Sequence, residues 1–467
     1  MNVSTPSEAH PSPMVERLAT MQWNRFHTVI VLLFGMGWAM DAFEVTLIGN
    51  VLGALKERFN LGADAMSLIL GAWFAGLMLG AAGFGYLADR YGRRRIFLAS
   101  LVLYGVTTLA AAFAPNLTAL LLLRLLAGIG VGAEYSAINA AISELVPSRS
   151  RGRAAALVLN FWPVGSLFAA LLSWLVLSAL PPDLGWRVVF GFGGVIALSS
   201  AWFRRHLPES PRWLESVGRD AEAMAIVVGI EAGITNLPVP EPTPVHRRVK
   251  REGAAMMTLL RRYPGRLALG AVLDFAEASG YYGLFAFLPL VVLPALNLAP
   301  AQLPVFYLAG SVGALFGGLT ASMLLDRWGR YATVTSFYLF TALATVALAF
   351  ATNLGAGVLM LGFALVNMLA TGSWIAAYPT FSELFPTSLR ASGIGASVAV
   401  GRIGAMISPF LVGTIGAHSM PAALLLLAGF WLLGAATMQV WHWMGGIEAN
   451  GLSLEAVSPE EKVVSHA

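Results

Sequence analysis

Long apolar stretches, separated by short polar connections, occupy most of this chain. A bilayer core of about 30 Å is crossed by about 20 residues of helix, and the apolar stretches have that length. We number them as spans 1 to 12, and they lie at 27–51, 66–88, 96–115, 117–143, 154–180, 186–206, 266–293, 302–325, 333–351, 355–380, 391–416 and 420–445. The pattern predicts an all-α membrane protein with twelve transmembrane helices.

Composition supports this assignment, because 57% of the residues are hydrophobic and only 12% are charged. Soluble domains carry about twice that charged fraction. The chain has no cysteine, which excludes disulfides and thiolate metal sites. A signal peptide has a charged segment, then an apolar segment, then small residues at the cleavage site. The first 26 residues do not show this order. We therefore expect span 1 itself to direct insertion.

The distribution of lysine and arginine predicts the orientation, since cations beside spans stay on the cytoplasmic side. Of 29 such residues, three lie in loops on one side (Lys56, Arg58 and Arg187) and two lie within spans (Arg124 and Arg402), which leaves 24 on the other side. Both termini are therefore predicted to be cytoplasmic. The net charge of +4 follows from the same bias, so no nucleic-acid partner is expected.

The chain divides into five predicted regions: a cytoplasmic segment 1–26, a six-helix bundle 27–206, a cytoplasmic connection 207–265, a second bundle 266–445 and a disordered tail 446–467. The connection contains a proline-rich stretch, 238–244, and a basic run, 246–251, between helical pieces predicted near 217–233 and 253–262. We interpret the basic run as an anchor to acidic lipid headgroups, with a regulatory site as the alternative.

Two carboxylate pairs stand at corresponding positions in the two halves. Asp41 and Glu44 lie in span 1, and Asp274 and Glu277 lie in span 7, 233 positions later. Carboxylates at membrane depth are costly and usually mark an ion or substrate pathway. Their duplication indicates a transporter built from two related halves.

Two polar loops repeat in the same order. The segment 85–94, GYLADRYGRR, recurs as LDRWGR at 325–330, and 144–151, ELVPSRSR, recurs as ELFPTSLR at 383–390. The aspartates of the first pair are 326 − 89 = 237 positions apart, and the glutamates of the second are 383 − 144 = 239 apart. Offsets this similar indicate an internal duplication, so two pseudo-symmetric six-helix bundles are predicted.

These motifs resemble the major facilitator superfamily, whose hallmark after span 2 is the G-x-x-x-D-R-x-G-R-R pattern of 85–94. The segments 124–132 (RLLAGIGVG) and 208–214 (PESPRWL) are similar to sugar porters and metabolite:proton symporters, whereas 41–44 (DAFE) and 401–405 (GRIGA) resemble aromatic acid:proton symporters. The sugar-binding glutamine pair of sugar porters is absent from span 7. The resemblance covers essentially the whole chain and implies the major facilitator fold.

Charged residues at the predicted cytoplasmic ends of the spans are expected to form networks that hold the bundles together when the carrier faces outward. Such ion pairs are worth little once water reaches them, so the latch is reversible. The predicted gating residues are Asp89, Arg90, Arg93, Glu144, Arg151, Asp326, Arg327, Glu383 and Arg390.

Depth estimates place the first acidic pair near an arginine. Asp41 lies about 20 Å into span 1, hence about 10 Å from the outer edge, and Arg124 lies about 10 Å below that edge in span 4. We expect the two to meet. A nearby cation favours the ionised form of a carboxyl group, whereas a neighbouring carboxylate favours the protonated form. A site with both neighbours can take up and release a proton. The predicted proton-coupling residues are Asp41, Glu44, Asp274 and Glu277.

Arg402 lies about 15 Å into span 11 and has no basic counterpart in span 5. It either contacts an anionic substrate or forms a structural ion pair with Asp274 or Glu277. Glu134 either lines the cavity or bonds neighbouring helices, and aromatic and amide side chains near the acidic pairs suit a ring-bearing solute. The predicted substrate-binding residues are Arg124, Glu134, Asn160, Trp162, Tyr281, Trp374 and Arg402.

No Walker A sequence or metal-binding histidine spacing occurs, so neither an enzyme nor a cofactor is predicted. We predict a proton-coupled symporter that imports a small organic acid, with aromatic acids as a subclass. We expect it to act by alternating access, as a monomer in the inner membrane. Alternatives are a proton-coupled carrier of a neutral sugar or polyol, an exporter running antiport, and a receptor that signals through 207–265.

Overall fold

The computed structural model describes residues 17, 21–147, 154, 157–204, 208–216, 218–235, 252–385 and 390–448. The long elements in these ranges are all helices. They are Arg25–Phe59 (span 1), Ala63–Tyr91 (span 2), Arg93–Ala111 (span 3), Leu117–Leu145 (span 4), Phe161–Ala179 (span 5), Pro182–Arg204 (span 6), Pro264–Phe287 (span 7), Leu303–Phe350 (spans 8 and 9), Ala356–Glu383 (span 10), Arg390–Gly416 (span 11) and Met420–Trp443 (span 12).

Hydropathy and length of the described helices confirm the predicted crossings. Eleven segments are long and apolar enough to cross a membrane, and the helix Leu117–Leu145 adds a twelfth whose apolar part is Leu117–Gly132. Many apolar side chains on the outer faces of the spans are exposed, including Phe113 and Phe350. Exposed apolar surface of this extent is what a lipid environment requires. The fold is the predicted twelve-helix membrane fold.

Glycines let helices within each bundle approach closely. A Cβ at Gly128 of span 4 would lie 2.2 Å from the carbonyl oxygen of Trp73 in span 2, and one at Gly130 would lie 2.6 Å from the Cβ of Tyr104 in span 3. Packing of this kind needs residues without side chains. The structure thus uses these two glycines of the 124–132 motif for helix packing.

Two elements differ from their predicted form. Span 7 was expected to be one helix to residue 293, but its regular part ends at Phe287 and a π-helical turn, Leu288–Val292, follows. This turn contains Pro289, which cannot donate the backbone hydrogen bond of a regular helix. Spans 8 and 9 form one assigned helix, Leu303–Phe350, in which Gly329 alone breaks the helical conformation with φ +85°.

The two bundles meet on the predicted extracellular side of the centre. Ser67 of span 2 donates a hydrogen bond of 3.3 Å to the carbonyl oxygen of Pro409 in span 11. A Cβ at Gly49 of span 1 would lie 2.3 Å from the Phe285 ring and 2.7 Å from the Tyr307 hydroxyl. These contacts bring spans 1 and 2 against the second bundle on that side.

Helices of the 207–265 connection lie at Pro211–Ser216, Asp220–Glu231 and Glu252–Arg262. The last two lie close to the predicted pieces, whereas the first was not predicted. The helix Asp220–Glu231 is tied to the start of span 1, because Asn24 Nδ2 donates a 2.6 Å hydrogen bond to the carbonyl oxygen of Ile230. Arg17 Nε also donates to Glu231 Oε1 at 2.9 Å. The proline-rich and basic stretches lie outside the described residues, so their interpretation stays a prediction.

Candidate functional site

A cavity lies between the two bundles near the centre of the molecule. The space between its lining atoms is about 280 Å³, a volume that includes space open to solvent. Spans 5, 7, 10 and 11 supply its lining, which is Trp162, Asp274, Glu277, Tyr281, Tyr282, Trp374 and Arg402. A central site between two halves is where an alternating-access carrier binds its solute.

Three charged side chains face this cavity from two packed helices. Asp274 and Glu277 are three residues apart on span 7, which places them on one helix face. Arg402 of span 11 lies within electrostatic range of both carboxylates. All three are buried, with 3%, 6% and 6% of their surface exposed. Buried charges need partners, so this group is a site and not a solvated surface.

The close approach of spans 7 and 11 depends on Gly401. A Cβ at this position would lie 1.8 Å from Oδ2 of Asp274 and 2.9 Å from the Asp274 carbonyl oxygen. The missing side chain therefore lets the carboxylate pack on the backbone next to Arg402. The same Oδ2 atom is buried and has no hydrogen-bond partner among the described residues.

Aromatic rings form the wall of the cavity that joins the bundles. Trp162 Nε1 of span 5 donates a 3.0 Å hydrogen bond to the Tyr281 hydroxyl of span 7. Trp374 contacts Trp162 edge to face, with 5.5 Å between ring centroids, and stacks on Trp38 of span 1 at 6.3 Å and 5°. The Arg402 guanidinium lies 5.9 Å from the Tyr282 ring centroid. Such a lining favours a planar ring as ligand.

A second buried charge cluster lies wholly within the first bundle. Arg124 of span 4 forms an ion pair with Glu44 of span 1, and the two side chains are 0% and 1% exposed. Thr108 of span 3 donates a 3.0 Å hydrogen bond to the same carboxylate oxygen of Glu44. The guanidinium also lies 5.6 Å from the Phe190 ring centroid of span 6. Four spans therefore enclose this ion pair.

The predicted contact between Arg124 and Asp41 needs correction. The ion-pair partner of Arg124 is Glu44, which lies about 4.5 Å further along the helix axis, a distance within the error of a depth estimate. Asp41 is fully buried nearby on the same helix. Arg124 was also predicted to bind substrate, but it is absent from the cavity lining because Glu44 holds it inside the first bundle.

Comparison with known proteins agrees with the fold. Residues 28–409 match the Major Facilitator Superfamily. The chain belongs to this superfamily. It is 30% identical to the niacin transporter NiaP of Acinetobacter baylyi over 95% of this chain and 99% of the relative. It is also 30% identical to the 3-(3-hydroxy-phenyl)propionate transporter of Escherichia coli, over 84% and 89% of the two chains.

Solved structures match the architecture of this major facilitator protein. The proton:xylose symporter XylE superposes with a TM-score of 0.72 at 19% identity, over 92% of this chain and 98% of XylE. At this identity the likeness concerns the fold alone. The superfamily assignment makes the protein an integral membrane transporter of a small molecule and not an enzyme.

The remaining predicted site residues of this transporter lie elsewhere. Asn160 does not line the cavity; its Nδ2 donates a 3.1 Å hydrogen bond to Ser322 Oγ of span 8, which links the bundles. Arg327 is exposed at the break between spans 8 and 9. The other predicted side chains lie outside the part that the structure describes, and they are Glu134, Asp89, Arg90, Arg93, Glu144, Arg151, Asp326, Glu383 and Arg390.

Two carboxylates at corresponding positions of the two halves were not recognised from the sequence. Both oxygens of Glu209 accept 3.3 Å hydrogen bonds from the backbone N–H of Arg94 at the start of span 3. Glu448 likewise accepts 2.9 Å bonds from the N–H groups of Arg330 and Tyr331 at the start of span 9. Glu448 therefore has a defined place, although it falls in the predicted disordered tail. The signal was present in the sequence, because 448 − 209 = 239 is the offset of the repeated loops.

Proposed function

We propose that this transporter imports a small organic acid of the aromatic class together with protons by alternating access. The observation that carries the proposal is the cavity between the bundles, where Arg402 stands among four aromatic side chains. A guanidinium binds a carboxylate through parallel hydrogen bonds, and aromatic rings contact the flat body of the solute. Relatives named for niacin and for 3-(3-hydroxy-phenyl)propionate support this substrate class.

Proton coupling is assigned to the cluster in the first bundle. Glu44 and Arg124 form a sealed ion pair, and Asp41 is buried one turn away. Protonation of Glu44 would remove the charge that holds Arg124, and a buried cation without its partner destabilises the packing around it. Rearrangement of spans 1 and 4 would then link proton uptake to movement of the bundle. We therefore assign the proton-dependent step to this ion pair.

We place the protein in the inner membrane of a bacterial cell, with both termini in the cytoplasm and the monomer as the working unit. The support is the distribution of cations described above and the bacterial source of several relatives. Tags at the two termini are expected to resist protease added outside intact spheroplasts. A tag between spans 1 and 2 is expected to be cleaved.

The proposal is tested by uptake into liposomes under an inward proton gradient. The probes are labelled benzoate, pyridine-3-carboxylate, xylose and mannitol, and a protonophore is added in a parallel series. The variants are Asp41→Asn, Glu44→Gln and Arg402→Ala, and the matched control is Arg261→Ala, an exposed arginine of the helix Glu252–Arg262 that does not line the cavity.

We expect an acid to accumulate in the wild type and to be released by the protonophore. Arg402→Ala should reduce its uptake at least about tenfold, the equivalent of roughly 1.4 kcal/mol in binding. Asp41→Asn and Glu44→Gln should abolish accumulation against a gradient, whereas Arg261→Ala should transport normally. Uptake of xylose or mannitol alone, or acid uptake that ignores the proton gradient, would contradict the proposal.

A further inference from the structure

The cavity of this carrier contains more acidic than basic side chains. Asp274 and Glu277 supply two carboxylates and Arg402 supplies one cation, all of them almost completely buried. A simple carboxylic acid would bring a third carboxylate beside a single guanidinium. Like charges in a poorly solvated site repel strongly, and an unpaired buried charge is costly. Arg402 alone therefore does not explain how the site accepts an anion.

We propose that the solute carries, in addition to its carboxylate, a positively charged ring nitrogen that Asp274 and Glu277 recognise. The solute class is then a planar zwitterion of the pyridinium-carboxylate type, and not a simple aromatic acid. This inference rests on the proposed function, because it concerns the same cavity and the same carboxylate at Arg402. It assigns the second acidic pair to substrate recognition and leaves proton coupling to the first bundle.

The placement of the three charges suits a solute with two opposite poles. The carboxyl groups are on span 7 and the guanidinium is on span 11, so the acidic and the basic groups come from different helices that line the cavity. A ring acid lying between them presents its carboxylate to Arg402 and its nitrogen to Asp274 or Glu277. The side chains of Asp274 and Glu277 both line the cavity, so both acidic groups adjoin the space that the ring nitrogen would occupy.

The aromatic lining supports the same solute class. Trp162, Trp374, Tyr281 and Tyr282 surround the charged group, and a cation close to aromatic ring faces is stabilised by their electron density. Aromatic cages bind quaternary ammonium groups in this way. A cavity for a simple acid would need the rings and the arginine, but not two carboxylates.

The test compares three probes with the same ring and the same carboxylate. Benzoate has no ring nitrogen, pyridine-3-carboxylate has an uncharged one, and N-methylpyridinium-3-carboxylate has a permanent positive charge. Each competes against the best transported acid in liposomes that contain wild-type protein, Asp274→Asn, Glu277→Gln or the control Glu57→Gln, an exposed carboxylate outside the cavity. Quenching of tryptophan fluorescence in detergent measures binding separately, because Trp162 and Trp374 line the site.

We expect the permanent zwitterion to compete at least about tenfold better than benzoate in the wild type and in Glu57→Gln. In Asp274→Asn and Glu277→Gln this preference should fall below about threefold. A protonophore should still abolish the accumulation of benzoate in both variants. If Asp274→Asn aggregates, Glu277→Gln and the wild-type ranking decide the question.

Two failures are distinguishable. Equal competition by benzoate and the zwitterion, unchanged in the two variants, overturns this inference and leaves acid import intact. The inference is also overturned if Asp274→Asn and Glu277→Gln keep the ranking but lose proton-driven accumulation, because the pair then serves protons. Absence of proton-driven uptake for every acid overturns the proposed function itself.

Discussion

At the scale of single residues, the cavity is shaped by an absent side chain as much as by those that are present. Gly401 allows the Asp274 carboxylate to pack on the backbone of span 11, directly before Arg402. Distance between the two helices therefore determines how far the acidic pair stands from the guanidinium. The charged groups of Asp274 and Arg402 therefore interact across the distance that Gly401 permits between spans 7 and 11.

Substitution of this glycine should disturb the charge group without altering any charge. In Gly401→Ala the new Cβ would lie 1.8 Å from Asp274 Oδ2, so the carboxylate or the helix must move. We expect uptake in liposomes to fall at least about tenfold. The control is Gly395→Ala on the same helix, where nothing lies within 4 Å of the added atom. Equal uptake by both variants would show that the spacing of spans 7 and 11 is unimportant.

The Glu44 and Arg124 ion pair permits a prediction about stability. Arg124→Leu leaves a buried carboxylate without its partner, which costs about 3–5 kcal/mol. The exposed pair of Arg58 and Asp183 should contribute less than about 1 kcal/mol. The melting temperature in detergent should therefore fall much more for Arg124→Leu than for Asp183→Asn.

The double variant Glu44→Leu with Arg124→Leu should regain most of this stability, because no charge remains buried. It should nevertheless fail to accumulate substrate with protons. Normal accumulation by a stable double variant would remove the first bundle from the coupling mechanism.

At the scale of elements, the starts of spans 3 and 9 are built alike. Each follows a glycine in a left-handed conformation, Gly92 with φ 98° and Gly329 with φ 85°. Each offers free backbone N–H groups to a carboxylate that comes from the end of its own bundle, Glu209 or Glu448. A negative group at a helix start satisfies these donors and interacts favourably with the helix dipole.

Loss of either carboxylate should weaken its helix start. Glu209→Ala and Glu448→Ala should each lower the free energy of unfolding by about 1 kcal/mol, as expected for a capping group. The melting temperature in detergent measures this effect, with Glu57→Ala, an exposed glutamate within the helix of span 1, as the control. An unchanged melting temperature in both variants would mean that water replaces the carboxylates without cost.

At the scale of the whole molecule, the bundles touch through small residues on one side of the cavity. A Cβ at Gly53 of span 1 would lie 3.3 Å from Leu293, next to the irregular end of span 7, and 3.4 Å from Pro300. Alternating access requires this contact to open and close in each cycle. A large side chain at Gly53 should keep it open.

This prediction is testable because the natural chain has no cysteine. Ser67→Cys places a single thiol at a position that is 1% exposed between spans 2 and 11. A maleimide should label it slowly in otherwise wild-type protein and at least about tenfold faster with Gly53→Trp, which should also stop transport. Gly62→Trp, where a Cβ has open space, is the control. Slow labelling with Gly53→Trp would show that the bundles close by other contacts.

Much of the architecture was determined by the sequence itself. Lipid can accept only helices of sufficient length with their backbone groups satisfied, so the apolar stretches dictated the spans. The repeated loops and acidic pairs indicated the duplication. Four of the predicted substrate-binding residues, Trp162, Tyr281, Trp374 and Arg402, line one cavity, and their role in binding stays a prediction. These residues are recognisable because polar and aromatic groups at membrane depth are unusual.

Only the tertiary structure decided how the charges are paired. Arg124 pairs with Glu44 and not with Asp41 in a setting where Thr108 donates to the same carboxylate and Phe190 lies against the guanidinium. The depth of a residue along its helix does not distinguish positions one turn apart. Arg402 and the second acidic pair face one another because Gly401 removes a side chain between two helices. Periodicity determines where a helix crosses the membrane, whereas its rotation and spacing depend on packing against its neighbours.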